Sequence, residues 1–317
     1  GLHGPAPSRS FNAYPAMTSF LTVPPSRMTP PRWLGILAVA LVFAVTGCDS
    51  SGGLQNQPDA DDAVVSAEET AESIAFSVAE ETGGTIEDLG SAAGLLQARS
   101  GLDAKSFSRN RSCDYDDEAM RWTCEASVER ENPRVSSSLS RSYQVQFFDG
   151  STAVRAPADA DSMTFALLEG EGSVETRRIE NEHTLLPATW SIARTATPGE
   201  FTVSLIDGPA GRDVEEEFSG AVRERTRTAQ IRKTRADALT WRRGSPGRPV
   251  DGTIEGTYDA DVEITRADGS TLNRTVSVSY VVTFSEDGAE VTFEGSGERF
   301  NGESFSFDPV SGDTTDG

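Results

Sequence analysis

The sequence is short of the residues that most often carry out chemistry. In 317 residues histidine occurs only as His3 and His183, cysteine three times, and lysine only as Lys105 and Lys233. The chain has no Gly-x-Ser-x-Gly elbow, no His-Glu-x-x-His pair and no phosphate-cradling glycine loop, so serine–histidine and zinc–histidine hydrolysis are not expected. Positive charge is scarce too: 28 basic against 50 acidic residues give a formal net charge of -22. Nucleic acid and anionic membrane surfaces carry the same sign and would be repelled at long range, so no nucleic-acid partner is expected. The near-absence of lysine beside 26 arginines fits a high-salt or high-GC source better than a ligand preference. Long apolar runs are also missing. Trp33–Val45 is 13 residues, about 20 Å as a helix against a hydrocarbon core of about 30 Å, too short for a comfortable membrane span.

That run nevertheless has a purpose. It follows Met28-Thr-Pro-Pro-Arg32 and ends in Val45-Thr46-Gly47-Cys48, a positive head, an apolar stretch and small residues at a cleavage point. The last four residues resemble the lipobox of bacterial lipoproteins. The resemblance covers residues 28–48 and implies a signal peptide over 28–47, cleavage before Cys48, and lipid on the Cys48 sulfur and often on the new amino group. Two or three acyl chains anchor stably, each buried methylene contributing about 0.8 kcal/mol. The expected location is the cell envelope, at a membrane reached through lipidated Cys48. Asp49 is the residue that retains lipoproteins at the inner membrane of enteric bacteria; other phyla do not follow that rule, and the outer membrane is the expectation here. Residues 1–27 precede the first convincing start and are expected to be a spurious or disordered extension. The part after residue 47 holds 25 basic and 50 acidic residues.

With Cys48 lipidated, Cys113 and Cys124 remain as an even pair in an exported protein, where disulfides persist. They are expected to be bonded across a polar loop or short hairpin. A metal pair is disfavoured because no further Cys or His lies nearby.

Along the rest of the chain, residues 48–62 have the Ser-, Gly-, Gln- and Asp-rich composition of a flexible tether. Residues 63–100 are expected to form a helical hairpin. In the first arm Val64, Ala67, Ala71, Ile74, Ala75 and Val78 recur at helical spacing; Gly83-Gly84 break it, and Thr85-Ile86-Glu87-Asp88 reads as a capped start for the second. Its polar faces are acidic where membrane-lying helices are basic, so packing on a β domain is favoured. Beyond Arg121 the period becomes two. Ile254, Tyr258, Val262 and Ile264 share one face of Thr253–Thr265, Ala267-Asp-Gly-Ser270 supplies a turn, and Val276, Val278, Tyr280, Val282 and Phe284 share one face of the return. The same alternation marks Trp122–Arg130, Ser140–Phe148, Met163–Leu167, Thr189–Ala193 and Glu200–Ile206. The fold class is therefore mainly β (α+β): a curved antiparallel sheet, sandwich or half-open barrel over 108–311, preceded by the helical hairpin. A weak echo between 121–207 and 214–307 is compatible with two related halves, though hairpin grammar alone produces such echoes.

Three places invite a functional reading. His183, in Glu180-Asn-Glu-His-Thr184, lies in a polar, loop-like stretch and is expected to be solvated. Asp159/Asp161 and Asp259/Asp261/Glu263 lack the residue order of a calcium loop, and no metal or other cofactor is expected. The one break in the acidic pattern is an arginine run in which Arg223, Arg225 and Arg227 alternate and would line one strand face, with Arg242 and Arg243 beyond Trp241. Such a stripe is a candidate anion site through bidentate arginine contacts, or it balances the acids around Glu215–Glu217. The leading expectation is a non-enzymatic envelope lipoprotein that binds or carries an apolar or anionic ligand on a curved sheet. Alternatives are an assembly lipoprotein docking another envelope protein, and a carboxylate-dependent hydrolase of envelope polymer using two acids in a cleft.

Overall fold

Alternating apolar and polar side chains dominate the chain beyond residue 110, and they fold into one antiparallel sheet. The computed structural model describes residues 67–97, 111–219, 224–242, 248–265, 269–294 and 300–315. The expected signal segment, Cys48 and the expected tether lie outside these residues. All the described residues belong to the unit Asn56–Gly317.

The strands are β1 (Arg111–Asp116), β2 (Arg121–Glu131), β3 (Ser136–Asp149), β4 (Thr152–Val154), β5 (Ser162–Glu175), β6 (Ile179–Leu186), β7 (Ala188–Arg194), β8 (Glu200–Asp207), β9 (Gly211–Ser219), β10 (Glu224–Arg242), β11 (Arg248–Thr265), β12 (Thr271–Phe284), β13 (Ala289–Glu294), β14 (Ser304–Phe307) and β15 (Thr314–Thr315). The sheet is a meander with a seam. β6 and β7 are separated only by Pro187, and they run in succession along β5, beside Gly170–Glu175 and Ser162–Leu167. Likewise β9 and β8 run in succession along β10, beside Glu224–Arg232 and Leu239–Arg242. Each pair is one long strand interrupted where a proline, Pro187 or Pro209, has no N–H to give to the ladder. With that allowance, and apart from β4, which pairs only with β3 on the edge away from β5, the strands lie side by side in chain order from β1 to β15.

Two helices, α1 (Ala67–Val78) and α2 (Thr85–Gln97), form the expected hairpin. Ala71, Ile74, Ala75 and Val78, spaced to share one helix face, are all buried, as are Ile86, Leu89, Ala93 and Leu96 of α2. Glu68 and Glu69 in the first turn of α1 complement the helix dipole. Gly83, at φ +69°, makes the turn, where Thr82 Oγ1 donates to Phe76 O at 2.6 Å.

That turn shows how far the sheet curls. Glu80 and Glu81 N–H donate to Pro309 O (3.0 Å) and Val310 O (2.8 Å) near the C-terminus, while Arg130 of β2 donates to Glu80 O (2.6 Å) and Ser137 of β3 to Glu81 O (2.6 Å). Both flanks of the sheet thus grip the same turn, and Arg134 reaches Asp313 at 3.6 Å. At the other end Arg194 of β7 caps α2 by donating to Leu96 O at 2.5 Å. The result is a half-open barrel closed around its own helical hairpin, with α1 against β13, β14 and β15 and α2 against β5 and β11.

One core runs through sheet and hairpin, with Phe147, Phe165, Trp241, Tyr258, Tyr280, Phe284 and Phe293 among its most buried large side chains. Each such side chain contributes about 1.5–3 kcal/mol relative to exposure. Cys113 and Cys124 face each other in the β1–β2 hairpin and are bonded, with an S–S distance of 2.05 Å and Cα atoms 4.1 Å apart.

Candidate functional site

Because strands alternate, the residues beneath the hairpin can be read from burial. The inward positions are Ser137, Leu139, Arg141 and Tyr143 on β3; Ile179, Asn181, His183 and Leu185 on β6; Arg212, Val214, Glu216 and Phe218 on β9; and Arg225, Arg227, Ala229, Ile231 and Lys233 on β10. Register places Asn181, Glu216 and Arg227 side by side in one row across three strands. Five of these inward residues are cations, and Glu216 is the one carboxylate the same positions supply. Arg141, Arg212, Arg227 and Lys233 are buried; the Arg225 side chain is 19% exposed.

The hairpin brings the missing negative charge. Glu69 of α1 is held by both oxygens: Oε1 by Arg225 Nη1 and Oε2 by Arg227 Nη2, the latter at 2.6 Å. The Arg227 guanidinium lies over the Phe218 ring, 4.2 Å from its centroid, and its Nη1 is 3.5 Å from the Tyr258 hydroxyl. Ser73 Oγ donates to the Glu216 carboxylate, to which Asn181 Nδ2 also donates at 3.1 Å. Lys233 Nζ donates to Ser77 O at 3.2 Å, and Arg212 donates to Gly83 O in the helix turn. On α2, Asp88 pairs with Arg141, and Glu87 pairs with Arg130 at 2.5 Å.

Burial sets the ionisation of these groups. It lowers Lys233 to about 7, aided by the neighbouring Arg212 charge, and Arg212 itself to about 10. It raises Glu72 of α1 to about 7, against the pull of Arg178. It also pushes the Asp88 and Glu216 carboxyls up, against Arg141 in the first case and Arg227 in the second. A space of about 20 Å³ beside Lys233, Asp88, Arg212 and Thr85 has room for about one water.

One expectation is corrected by this placement. His183 is not a solvated loop residue: it lies on β6, buried, with Nδ1 2.9 Å from Asn181 Oδ1 and Nε2 without a hydrogen-bond partner. Its ring lies across Gly172 of β5, where a Cβ would come within 2.7 Å of Nε2. Burial, then the charges of Arg212 and Lys233, hold its pKa well below the usual histidine value. The arginine stripe does share one strand face, but that face is not presented to solvent. Arg225 and Arg227 point inward to Glu69, because α1 packs over them. Arg242 sits apart, exposed and paired with Glu286 at 2.6 Å; Arg223 and Arg243 lie outside the described residues.

Sequence reasoning misses Arg141, Arg212 and Glu69 as site residues, and places Lys233 only within the basic run. The available signal was a charged residue at an inward strand position, such as Arg141 between Leu139 and Tyr143.

The opposite face of the sheet is different in kind. There a groove of about 680 Å³ is lined by Glu129, Ser138, Ser140, Glu171, Glu182 and Glu215, acids and hydroxyls at outward positions. Among the described residues no group of three or more His, Cys, Asp or Glu could hold a metal ion. No described helix is long and apolar enough to cross a membrane. Comparison with protein-family models, curated proteins and solved structures finds no match for this chain.

Proposed function

We propose that this protein is a membrane-tethered envelope lipoprotein, anchored through Cys48, that binds an anionic amphiphile on the concave face of its sheet. The hairpin packs over that face. One observation carries the reading: in a chain of net charge -22, four arginines and Lys233 collect on the inner face of the sheet, and the carboxylates that pair with Arg141, Arg225 and Arg227 come from the hairpin. Burying an ion costs several kcal/mol unless it is well paired, and apolar residues of similar size often serve a core as well or better. A purely structural core would gain little from this arrangement. A surface that must accept a negatively charged occupant would gain a great deal.

The hairpin also has the chemistry of such an occupant. It offers an apolar stripe through Ala71, Ile74, Val78, Ile86, Leu89 and Leu96, with the carboxylates of Glu69, Glu87 and Asp88 beside it. An acyl chain ending in an anionic head offers the same two features, so exchanging hairpin for ligand replaces like with like.

The reading is tested by titrating the full mature chain with a single-chain alkyl phosphate and with a fatty acid, following tryptophan emission, since Trp190 and Trp241 are buried in the shared core. Saturable binding of at least one is expected, with faster hydrogen exchange in 67–97 as the hairpin is displaced. No binding of either would overturn the proposal. Cys48→Ala should move the protein from the membrane fraction to the soluble one, and retention with membranes would overturn the anchor.

A further inference from the structure

We propose that Arg225 and Arg227 form a phosphate-monoester site, and that Glu69 occupies it as a resident substitute for the phosphate. The inference rests on the reading of the concave face as the ligand surface and adds the identity of the head group. The geometry is that of an anion clamp. Two guanidiniums, two residues apart on β10, hold a single carboxylate from both sides, one per oxygen. Phe218 supports the Arg227 plane and the Tyr258 hydroxyl stands beside it, so the arginine is fixed in place by parts of the sheet that remain when the hairpin moves.

The fit to Glu69 is incomplete, and what is left over points to the ligand. Nε and Nη2 are the two donors of one edge of a guanidinium, the edge that binds carboxylate or phosphate bidentately. In Arg227 only Nη2 is used; Nε is buried and has no hydrogen-bond partner. Each Glu69 oxygen accepts from one arginine, and neither is placed to accept from that third donor as well. A phosphate monoester has three terminal oxygens and carries about -1.5 to -2 charge near neutral pH, matching both the donor count and the charge of two arginines. A buried donor without an acceptor is costly, so a ligand that satisfies it gains over one that does not.

Glu216, beside Arg227 in the register, does not spoil the site. Asn181 of β6, which stays with the sheet when the hairpin moves, donates to one of its oxygens. The partial exposure of Arg225 gives the clamp one side open to solvent, by which a head group could displace Glu69 before the chain follows.

The test compares an alkyl phosphate and a fatty acid of equal chain length on the full mature chain, with the ³¹P resonance of the head group as a second readout. The alkyl phosphate is expected to bind at least tenfold tighter and to shift its ³¹P signal on binding. Arg227→Lys keeps the charge but removes the two-donor edge, and should reduce that preference to about twofold or less. Glu69→Gln removes the competing charge while leaving both arginines, and should tighten alkyl-phosphate binding several-fold even if the lysine variant does not fold. If the two ligands bind equally well, the phosphate site is overturned while the concave-face reading stands. Unchanged affinity in Glu69→Gln also overturns the site. If neither ligand binds, both fall.

Discussion

The concave face carries two surfaces at its two ends, and they do opposite things. Where β7, β8 and the end of β10 meet, the inward residues are Trp190, Ile192, Phe201, Val203, Leu239 and Trp241, apolar without exception. Where β6, β9 and the start of β10 meet, Asn181, His183, Arg212, Glu216, Arg225 and Arg227 occupy equivalent positions. Pro187 and Pro209 interrupt the strands between the two ends, but antiparallel pairing holds on either side of the break, so the ends differ chiefly in their side chains. The apolar end gains from burial in proportion to area, with no demand on orientation. The charged end holds only while each ion keeps its partner, and most of those partners sit on a separate element. The first end is stable under any apolar cover; the second is stable only under a cover that brings negative charge.

The comparison breaks most readily at the apolar end. Trp241→Ala should cost about 4 kcal/mol, the range for truncating a fully buried aromatic, read as a lower urea midpoint at constant slope. A loss below about 1.5 kcal/mol would mean the apolar end is not the stabilising half. Arg227→Met should cost nearly as much, about 3 kcal/mol, because Glu69 loses one of its two partners while remaining largely buried. The distinguishing result is the double variant. Adding Glu69→Leu should recover most of the loss, since the remaining arginine, Arg225, can turn its partly exposed head to water. No second substitution at a distance could do the same for Trp241→Ala.

The ionisable groups sharpen the contrast with a pH dependence that the apolar end cannot have. Glu72 has its pKa raised to about 7 from 4.5, so between those values the native state holds a proton that the unfolded state has lost. Its contribution to stability is therefore full below about pH 4.5 and is lost as pH rises toward 7. Lys233 is lowered to about 7 from 10.5, so the unfolded state holds the extra proton between 7 and 10.5, and stability increases as pH rises through that window. Each limb should be on the order of 2 kcal/mol. Glu72→Gln should remove the acid limb and Lys233→Met the alkaline one, measured as differences from the unsubstituted protein, because His183 works against Glu72 below its usual pKa. Parallel curves for variant and parent would show that these groups do not titrate with folding.

The two ends also differ in how much of them the sequence discloses. Strands such as Thr253–Thr265 and Glu200–Ile206 announce themselves because inward and outward residues differ in polarity, and the bonded pair Cys113–Cys124 follows from parity once export is inferred. β6 hides because Asn181 and His183 are as polar as the outward Glu180, Glu182 and Thr184, so the alternation that should expose a strand is flat. The arginine stripe is a subtler case. Its periodicity puts Arg225 and Arg227 on one face, but nothing local reveals what covers that face, because Glu69 comes from 158 positions before Arg227. Local pattern fixes which side of a strand a residue occupies; only the packing of distant elements decides whether that side meets water.

The smallest expected effect tests this last point within a single strand. Arg242 is the same residue type as Arg227, on the same strand β10, and also paired with a glutamate at 2.6 Å. Its side chain is 54% exposed and that of Glu286 69%, whereas Arg227 is fully enclosed. Water screens the first pair, and two long side chains lose rotamer freedom to form it, so Arg242→Ala should change stability by less than about 1 kcal/mol. The change should shrink further in 1 M salt, where the Debye length falls to about 3 Å, while the effect of Arg227→Met should persist. If Arg242→Ala costs as much as Arg227→Met, then burial is not what separates the two arginines, and the charge beneath the hairpin loses its special standing as a site.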